Sequence, residues 1–136
     1  MGPVGAGTSA KLAINLPLLV FWQSFGEAMA LVRHLKKDSD WLVQLFAETA
    51  GAPSVLKAKG PSVAAALAGD MSVEPAFDID SMRKDLRLIL EEGGVLGITL
   101  PVAAQTLSAF DEASEAALGG RDCAYMPAYW AKKADR

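Results

Sequence analysis

An all-α fold is what the sequence predicts, and three observations predict it. Apolar residues recur at steps of three and four almost throughout. Gly, Pro and Ser or Asp clusters interrupt that pattern at helix-length intervals. No run of alternating apolar and polar residues makes a convincing strand. The expected form is a bundle of about six helices with a long first helix, built as one domain over residues 1–136.

Each element has its own justification. Gly2-Pro3-Val4-Gly5-Ala6-Gly7 reads as a flexible lead-in. Thr8 or Ser9 can cap a helix, because a hydroxyl there accepts from a free backbone N–H. A long helix then runs from about residue 9 to Leu35. Its apolar positions are Leu12, Leu16, Leu19, Phe21, Phe25, Met29 and Val32. Few polar residues interrupt its middle, which predicts cover on several sides. Pro17 removes a ladder hydrogen bond and crowds the Ala13 carbonyl, which predicts a kink or a break. Lys36-Lys37 suit a helix C-terminus.

Ser39 is the expected cap of a second helix through Trp41, Leu42, Leu45 and Phe46, ended by Gly51-Ala52-Pro53. Ser54 to Lys59 reads as a short helix. Gly60-Pro61-Ser62 opens another, through Val63 to Leu67, stopped by Gly69-Asp70. Residues 69–78 read as a loop. Asp78 or Asp80 can cap the next helix, whose stripe is Met82, Leu86, Ile89 and Leu90. That helix is expected to pass Gly93-Gly94 and end near Leu96, with Gly97 as the stop. A short strand over Val95 to Leu100 is the alternative on β-propensity. Pro101 starts a helix to Leu118, closed by Gly119-Gly120. Tyr125, Pro127, Tyr129 and Trp130 can pin the tail to the body.

Composition excludes several classes. With 51% hydrophobic and 21% charged residues, the chain is not disordered. Net charge is −3 and no basic face clusters, so no nucleic-acid partner is expected. Leu16 to Trp22 is too short to span a bilayer, so no membrane partner is expected. Lys11 before that run, with Ala28-Met29-Ala30 after it, has the outline of a signal peptide. The glycine-rich leader lacks other basic residues and argues against that reading. A single cysteine, Cys123, forms no internal disulfide and no cysteine-rich metal site. A reducing, cytoplasmic setting and no metal are the expectations. His34 reads as a surface or capping residue; Trp22, Trp41 and Trp130 read as core or interface.

Two motifs could carry chemistry. Gly5-Ala6-Gly7-Thr8-Ser9-Ala10 matches the dinucleotide fingerprint G-x-G-x-x-A, but no strand precedes or follows it. The fingerprint works only inside a strand–helix–strand unit, so a tight turn into a helix is the better reading. The same glycines open a longer pattern: Gly2, Gly5, Gly7, Lys11 and Asn15. Lys11 and Asn15 are four residues apart and share one helix face with apolar neighbours. A lysine partly desolvated there is suited to proton transfer, and an amide one turn away can orient it. Alone the pair is unspecific, because lysines near helix starts are commonplace.

The pattern resembles the glycine–lysine–asparagine signature of the β-hydroxyacid dehydrogenases, which include 3-hydroxyisobutyrate dehydrogenase and glyoxylate/succinic semialdehyde reductases. A second segment resembles the same family: Phe77, then Lys84-Asp85-Leu86 seven residues on, with Pro101 seventeen residues after Lys84. The resemblance covers the chain to about Gly120. It implies a fold like the C-terminal domain of 6-phosphogluconate dehydrogenase-like proteins. It implies Lys11 as catalytic acid/base and Asn15 as its orienting partner. It implies Phe77 and Asp85 at the substrate and Lys84 at an NAD or NADP cofactor. The implied substrate is a small hydroxyacid or semialdehyde. Imine reductases share the architecture but usually replace the lysine, so Lys11 favours hydroxyacid or semialdehyde chemistry.

The resemblance also implies a Rossmann domain preceding residue 1, so the chain alone is expected to be inactive. It implies assembly to at least a dimer, through the long helix and surfaces around Trp22 and Phe25. The rival is a non-enzymatic helical ligand-binding or interaction module. That rival explains the bundle but not the two spaced motifs.

Overall fold

A computed structural model describes residues 6–135, with only the backbone of Ala6. Gly2 and Gly5 of the leading pattern lie outside the described residues. Among the described residues there are six α-helices and no strand. They are α1 (Ala6–Val32), α2 (Ser39–Ala47), α3 (Ser54–Leu67), α4 (Ile79–Leu96), α5 (Pro101–Ala113) and α6 (Tyr125–Lys133). A 3₁₀ turn, Arg33–Leu35, extends α1. A π turn, Ser114–Leu118, extends α5. No described helix is long and apolar enough to cross a membrane.

α1 is already helical at Ala6, so neither Thr8 nor Ser9 is its cap. Ser9 Oγ instead donates to Glu92 Oε1 at 2.8 Å, tying the first turns of α1 to the last turns of α4. α1 also runs unbroken through Pro17. Pro17 and Ala13 are both exposed, so water can serve the Ala13 carbonyl that loses its donor. The inner side of α1 buries Leu19, Trp22, Phe25 and Met29 and packs on α4, α5 and α6.

Trp22 is fully buried and Phe25 is 3% exposed. They are therefore core, not surfaces for association. The reason is α6, which covers this stretch so closely that a Cβ on Gly26 would lie 3.0 Å from Trp130 Cβ and 3.2 Å from Pro127 Cα. The exposed apolar side chains are others, led by Ile14, Leu31 and Val95. Of the remaining tryptophans, Trp130 is half-buried and Trp41 is exposed beneath the Lys37 ammonium. His34 is exposed, with Nδ1 3.1 Å from the Leu31 carbonyl at the end of α1.

α2 begins at Ser39, with Asp38 in the cap position and no side-chain cap bond. The expected break at Gly60-Pro61 is absent, and α3 is one helix. Leu56, Gly60, Val63 and Ala64 form its buried face, where Gly60 sits close to Val43 of α2. Pro61 is on the exposed side, where its missing N–H is cheapest. Packing of the continuous face outweighs the local breaker.

α4 follows its sequence pattern. Asp78 is the cap: its Oδ1 accepts from Ser81 N–H at 2.7 Å. Met82, Leu86 and Ile89 are buried, and Leu90 packs partly against them. Gly97 takes the left-handed conformation at φ 71°, and Ile98 N–H returns to the Gly93 carbonyl at 2.9 Å. This αL closure ends α4 and leaves no strand over Val95 to Leu100. Pro101 is the first residue of α5. The tail folds as α6, a helix the sequence pattern did not announce.

Two glycine substitutions should move stability in opposite directions. Gly94 lies inside α4 with open space where a Cβ would stand. Gly94→Ala should raise stability by about 0.5–1 kcal/mol. Gly26→Ala should lower it by about 1–3 kcal/mol, because α1 and α6 must separate. Urea midpoints of both variants test the pair. Stabilisation by Gly26→Ala would contradict the close α1–α6 approach.

Candidate functional site

The first turns of α1 carry Lys11 and Asn15 on one face. Asn15 is half-buried. Lys11 is exposed, which corrects the expectation of apolar cover at that position. The cause is local: Ile14, one of the neighbours that could shield it, is itself 76% exposed. α1 turns only its other side to α4.

Lys84 and Asp85 lie on α4, two turns before the Glu92 that meets Ser9. Lys84 is exposed and Asp85 half-buried. Phe77 precedes α4 and is 37% exposed. Ile79 and Glu92 are separated by roughly 20 Å along the helix axis, at ~1.5 Å per residue. Phe77 therefore stands at the end of α4 remote from Ser9. The fold pairs Lys11 with Asn15 and Lys84 with Asp85. Among the described residues no hydrogen bond or ion pair joins any two of these five side chains. A groove of about 530 Å³ between α1 and α5, lined by Gln23, Glu27, Thr106, Glu112 and Trp130, includes none of them.

Sequence reading missed the polar centre beside Phe77. Asp122 has no exposed surface. Its carboxylate lies 2.8 Å and 2.9 Å from Lys59 Nζ through its two oxygens. It also accepts from the N–H groups of Ala76 at 2.8 Å, Phe77 at 3.3 Å and Ala124 at 2.9 Å. The Phe77 carbonyl accepts from Cys123 N–H at 2.9 Å. An isolated antiparallel bridge pairs Asp78 with Asp122.

Burial acts to raise the Asp122 carboxyl. The Lys59 ammonium and the N–H groups of Ala124, Ala76 and Phe77 outweigh it and hold the group below its ordinary value. Beside it, burial first and the Asp122 charge second push the Cys123 thiol up to about 12. A clue existed in the sequence. Asp122 directly precedes the uncharged stretch Cys123 to Ala131, and a charge drawn into the core with it needs a partner. Nothing local pointed to Lys59 as that partner.

Two expected outcomes follow from this centre. A carboxyl with a depressed folded-state pKa contributes fully above its unfolded value, near pH 4, and loses that contribution as pH falls through the folded value. Asp122→Asn should cost about 3 kcal/mol at pH 6 and flatten the loss of stability between pH 5 and 2. Urea midpoints across that range check it; an unchanged slope would remove Asp122 from the acid response. The Cys123 thiol should ignore Ellman's reagent at pH 8 in the folded protein and react fully in urea. Rapid reaction of the folded protein would contradict the buried, protonated thiol.

A family profile described as "NAD-binding of NADP-dependent 3-hydroxyisobutyrate dehydrogenase" matches residues 5–130. The chain is 32% identical over 122 residues to glyoxylate/succinic semialdehyde reductase 1 of Arabidopsis thaliana, covering 90% of this chain and 40% of that protein. It is 29% identical over 121 residues to 3-sulfolactaldehyde reductase of Escherichia coli (strain K12), covering 89% of this chain and 39% of that protein. The crystal structure of 3-hydroxyisobutyrate dehydrogenase from Salmonella typhimurium shares the fold at a TM-score of 0.77 and 28% identity, over 90% of this chain and 41% of that one. The chain thus spans about two-fifths of the length of these relatives. The helical fold, the long first helix and a match over nearly every residue agree: this chain belongs to the NAD-binding family of NADP-dependent 3-hydroxyisobutyrate dehydrogenase.

Proposed function

We propose that this chain is the helical substrate domain of an NAD(P)-dependent oxidoreductase acting on a β-hydroxyacid or the corresponding semialdehyde. The observation that carries the proposal is the Lys11–Asn15 pair, one turn apart on one face of α1 with Lys11 exposed and Asn15 half-buried, inside the matched residues. Two relatives are named as reductases of glyoxylate/succinic semialdehyde and of 3-sulfolactaldehyde, which supports the same substrate class here.

When bound, the nicotinamide cofactor supplies or accepts the hydride. Lys11 performs the proton half of the reaction. Protonated, its Nζ donates to the carbonyl oxygen as the carbon is reduced; neutral, it takes the hydroxyl proton in the reverse direction. The Asn15 amide orients the amine and the substrate oxygen. Phe77 and Asp85 line the substrate. Lys84 is exposed and in no ion pair among the described residues, so its charge is available to an anionic dinucleotide.

A nucleotide-binding fold of Rossmann type, carried elsewhere in the full-length protein, is part of this proposal. So is assembly to at least a dimer. Among the described residues no strand is present to cradle a pyrophosphate. Without that fold the chain cannot hold the nicotinamide against Lys11, and turnover by the isolated domain is expected to be absent.

In the full-length protein, Lys11→Ala should lower kcat by about 10²–10⁴-fold. Its exposed side chain makes no described hydrogen bond, so the unfolding free energy from urea denaturation should stay within about 0.5 kcal/mol of wild type. Turnover of a small semialdehyde with NADPH or NADH, with circular dichroism as the fold control, measures both. Wild-type turnover in Lys11→Ala would overturn the role given to Lys11.

A further inference from the structure

We infer that Asp122, with Lys59 as its counter-ion, is a positioning residue for substrate binding, because it holds the backbone of Phe77 in place. The inference rests on the proposal that Phe77 lines the substrate site.

Residues 70–77 join α3 to α4 without regular structure. Phe77 is too exposed for core packing to fix it. Its backbone is fixed instead. The Asp122 carboxylate takes the N–H groups of Ala76 and Phe77, and Cys123 N–H holds the Phe77 carbonyl. The same short strap anchors the start of the loop. Tyr125 Oη donates to the Asp70 carbonyl at 2.7 Å and accepts from Val73 N–H at 3.2 Å. Arg121 donates to the Met71 carbonyl. Arg121 to Tyr125 therefore holds the loop at both ends, and Asp122 grips the end that carries the aromatic ring. Asp122 has no surface of its own to offer a ligand. Its effect on a substrate passes through Phe77. Lys59 keeps the carboxylate ionised, and only the ionised form can accept from three N–H groups and an ammonium together.

A merely structural Asp122 and a positioning one differ in what they change. The test uses the full-length protein and the variants Asp122→Asn, Phe77→Ala and the double variant. Asp122→Asn should raise KM for the semialdehyde about tenfold, with KM for the dinucleotide and kcat each within about threefold. In the Phe77→Ala background the same change should add less than about twofold to that KM, because the ring it positions is gone. Amide hydrogen exchange at Ala76 and Phe77, read at times too short for global unfolding, should speed up at least about tenfold in Asp122→Asn, while the core amides of α1 and α5 stay protected on that timescale.

A KM effect that persists in full without the Phe77 ring, or one shared equally by both substrates, overturns the inference. So does unchanged exchange at residues 76 and 77. If Asp122→Asn does not fold, Lys59→Gln takes its place, with the same pattern expected and the same outcomes overturning it. An active enzyme whose substrate KM is indifferent to Phe77→Ala defeats the reading of Phe77, while the exchange data still report on the clamp.

Discussion

A carboxylate sealed from water must take every hydrogen bond from the protein around it, and the arrangement of half of this bundle follows from how Asp122 does so. Leaving such a charge unpaired would cost several kcal/mol, so its partners are constrained to arrive together. They come from three places in the chain: Lys59 on α3, Ala76 and Phe77 in the loop before α4, and Ala124 at the start of α6. The carboxylate thereby joins helices that have few other polar ties. Next to it, Asp80 N–H donates to the Gly119 carbonyl at 2.8 Å. A Cβ at Gly119 would run into the Asp80 carboxylate, so a larger residue there would have to displace that side chain from Arg83 and Ser114.

That junction sets where α4 begins, and α4 is the element on which the candidate site depends most. Asp78 caps it, and Arg83, itself bonded to Asp80 one turn back, locks its first turns to the end of α5 through Asp111 and Ser114. Gly97 closes its far end, where Glu92 receives Ser9 of α1. Lys84 and Asp85 are thus carried on a helix fixed at both ends. Lys11 and Asn15 are carried on the helix it is bonded to. Rigid elements hold reacting groups to tighter tolerances than loops do. Phe77, the one candidate outside a helix, is the one for which the strap substitutes.

Local rules read well wherever the structure obeys them locally. The α4 stripe and the Gly97 stop depend on spacing and backbone conformation alone and are legible in the sequence, which also narrows the cap to Asp78 or Asp80. Pro17 and Gly60-Pro61 misled for the opposite reason. Each is a local breaker, but the two prolines lie on exposed sides of helices whose other face, Gly60 included, is held by packing. Trp22 and Phe25 invited an interface reading because α1 is apolar around much of its girth, and its cover, α6, was not visible as a helix. Of the candidate site, the two spaced motifs were legible. The distance between them was not, because it is set by the packing of α1 on α4. The Asp122–Lys59 pair was illegible for a sharper reason: its members are 63 residues apart and neither belongs to a local pattern.

The exposure of Lys11 and Lys84 bears on how the proposed chemistry is divided. Hydride transfer needs a site from which water is excluded, and neither lysine is shielded by the described residues. The helical domain therefore supplies positions: an amine and an amide on one rigid helix, a cation and a carboxylate on another, and an aromatic ring on a clamped loop. On the proposed function, the closing surface comes from the nucleotide-binding fold and the dinucleotide it carries. On this division Asp122 is turned inward to fix backbone, while Lys11 and Lys84 are left open. A residue whose carboxylate is wholly spent on N–H groups and an ammonium has nothing left to offer a ligand. What it can contribute is the placement of its neighbour, and in this fold that neighbour is Phe77.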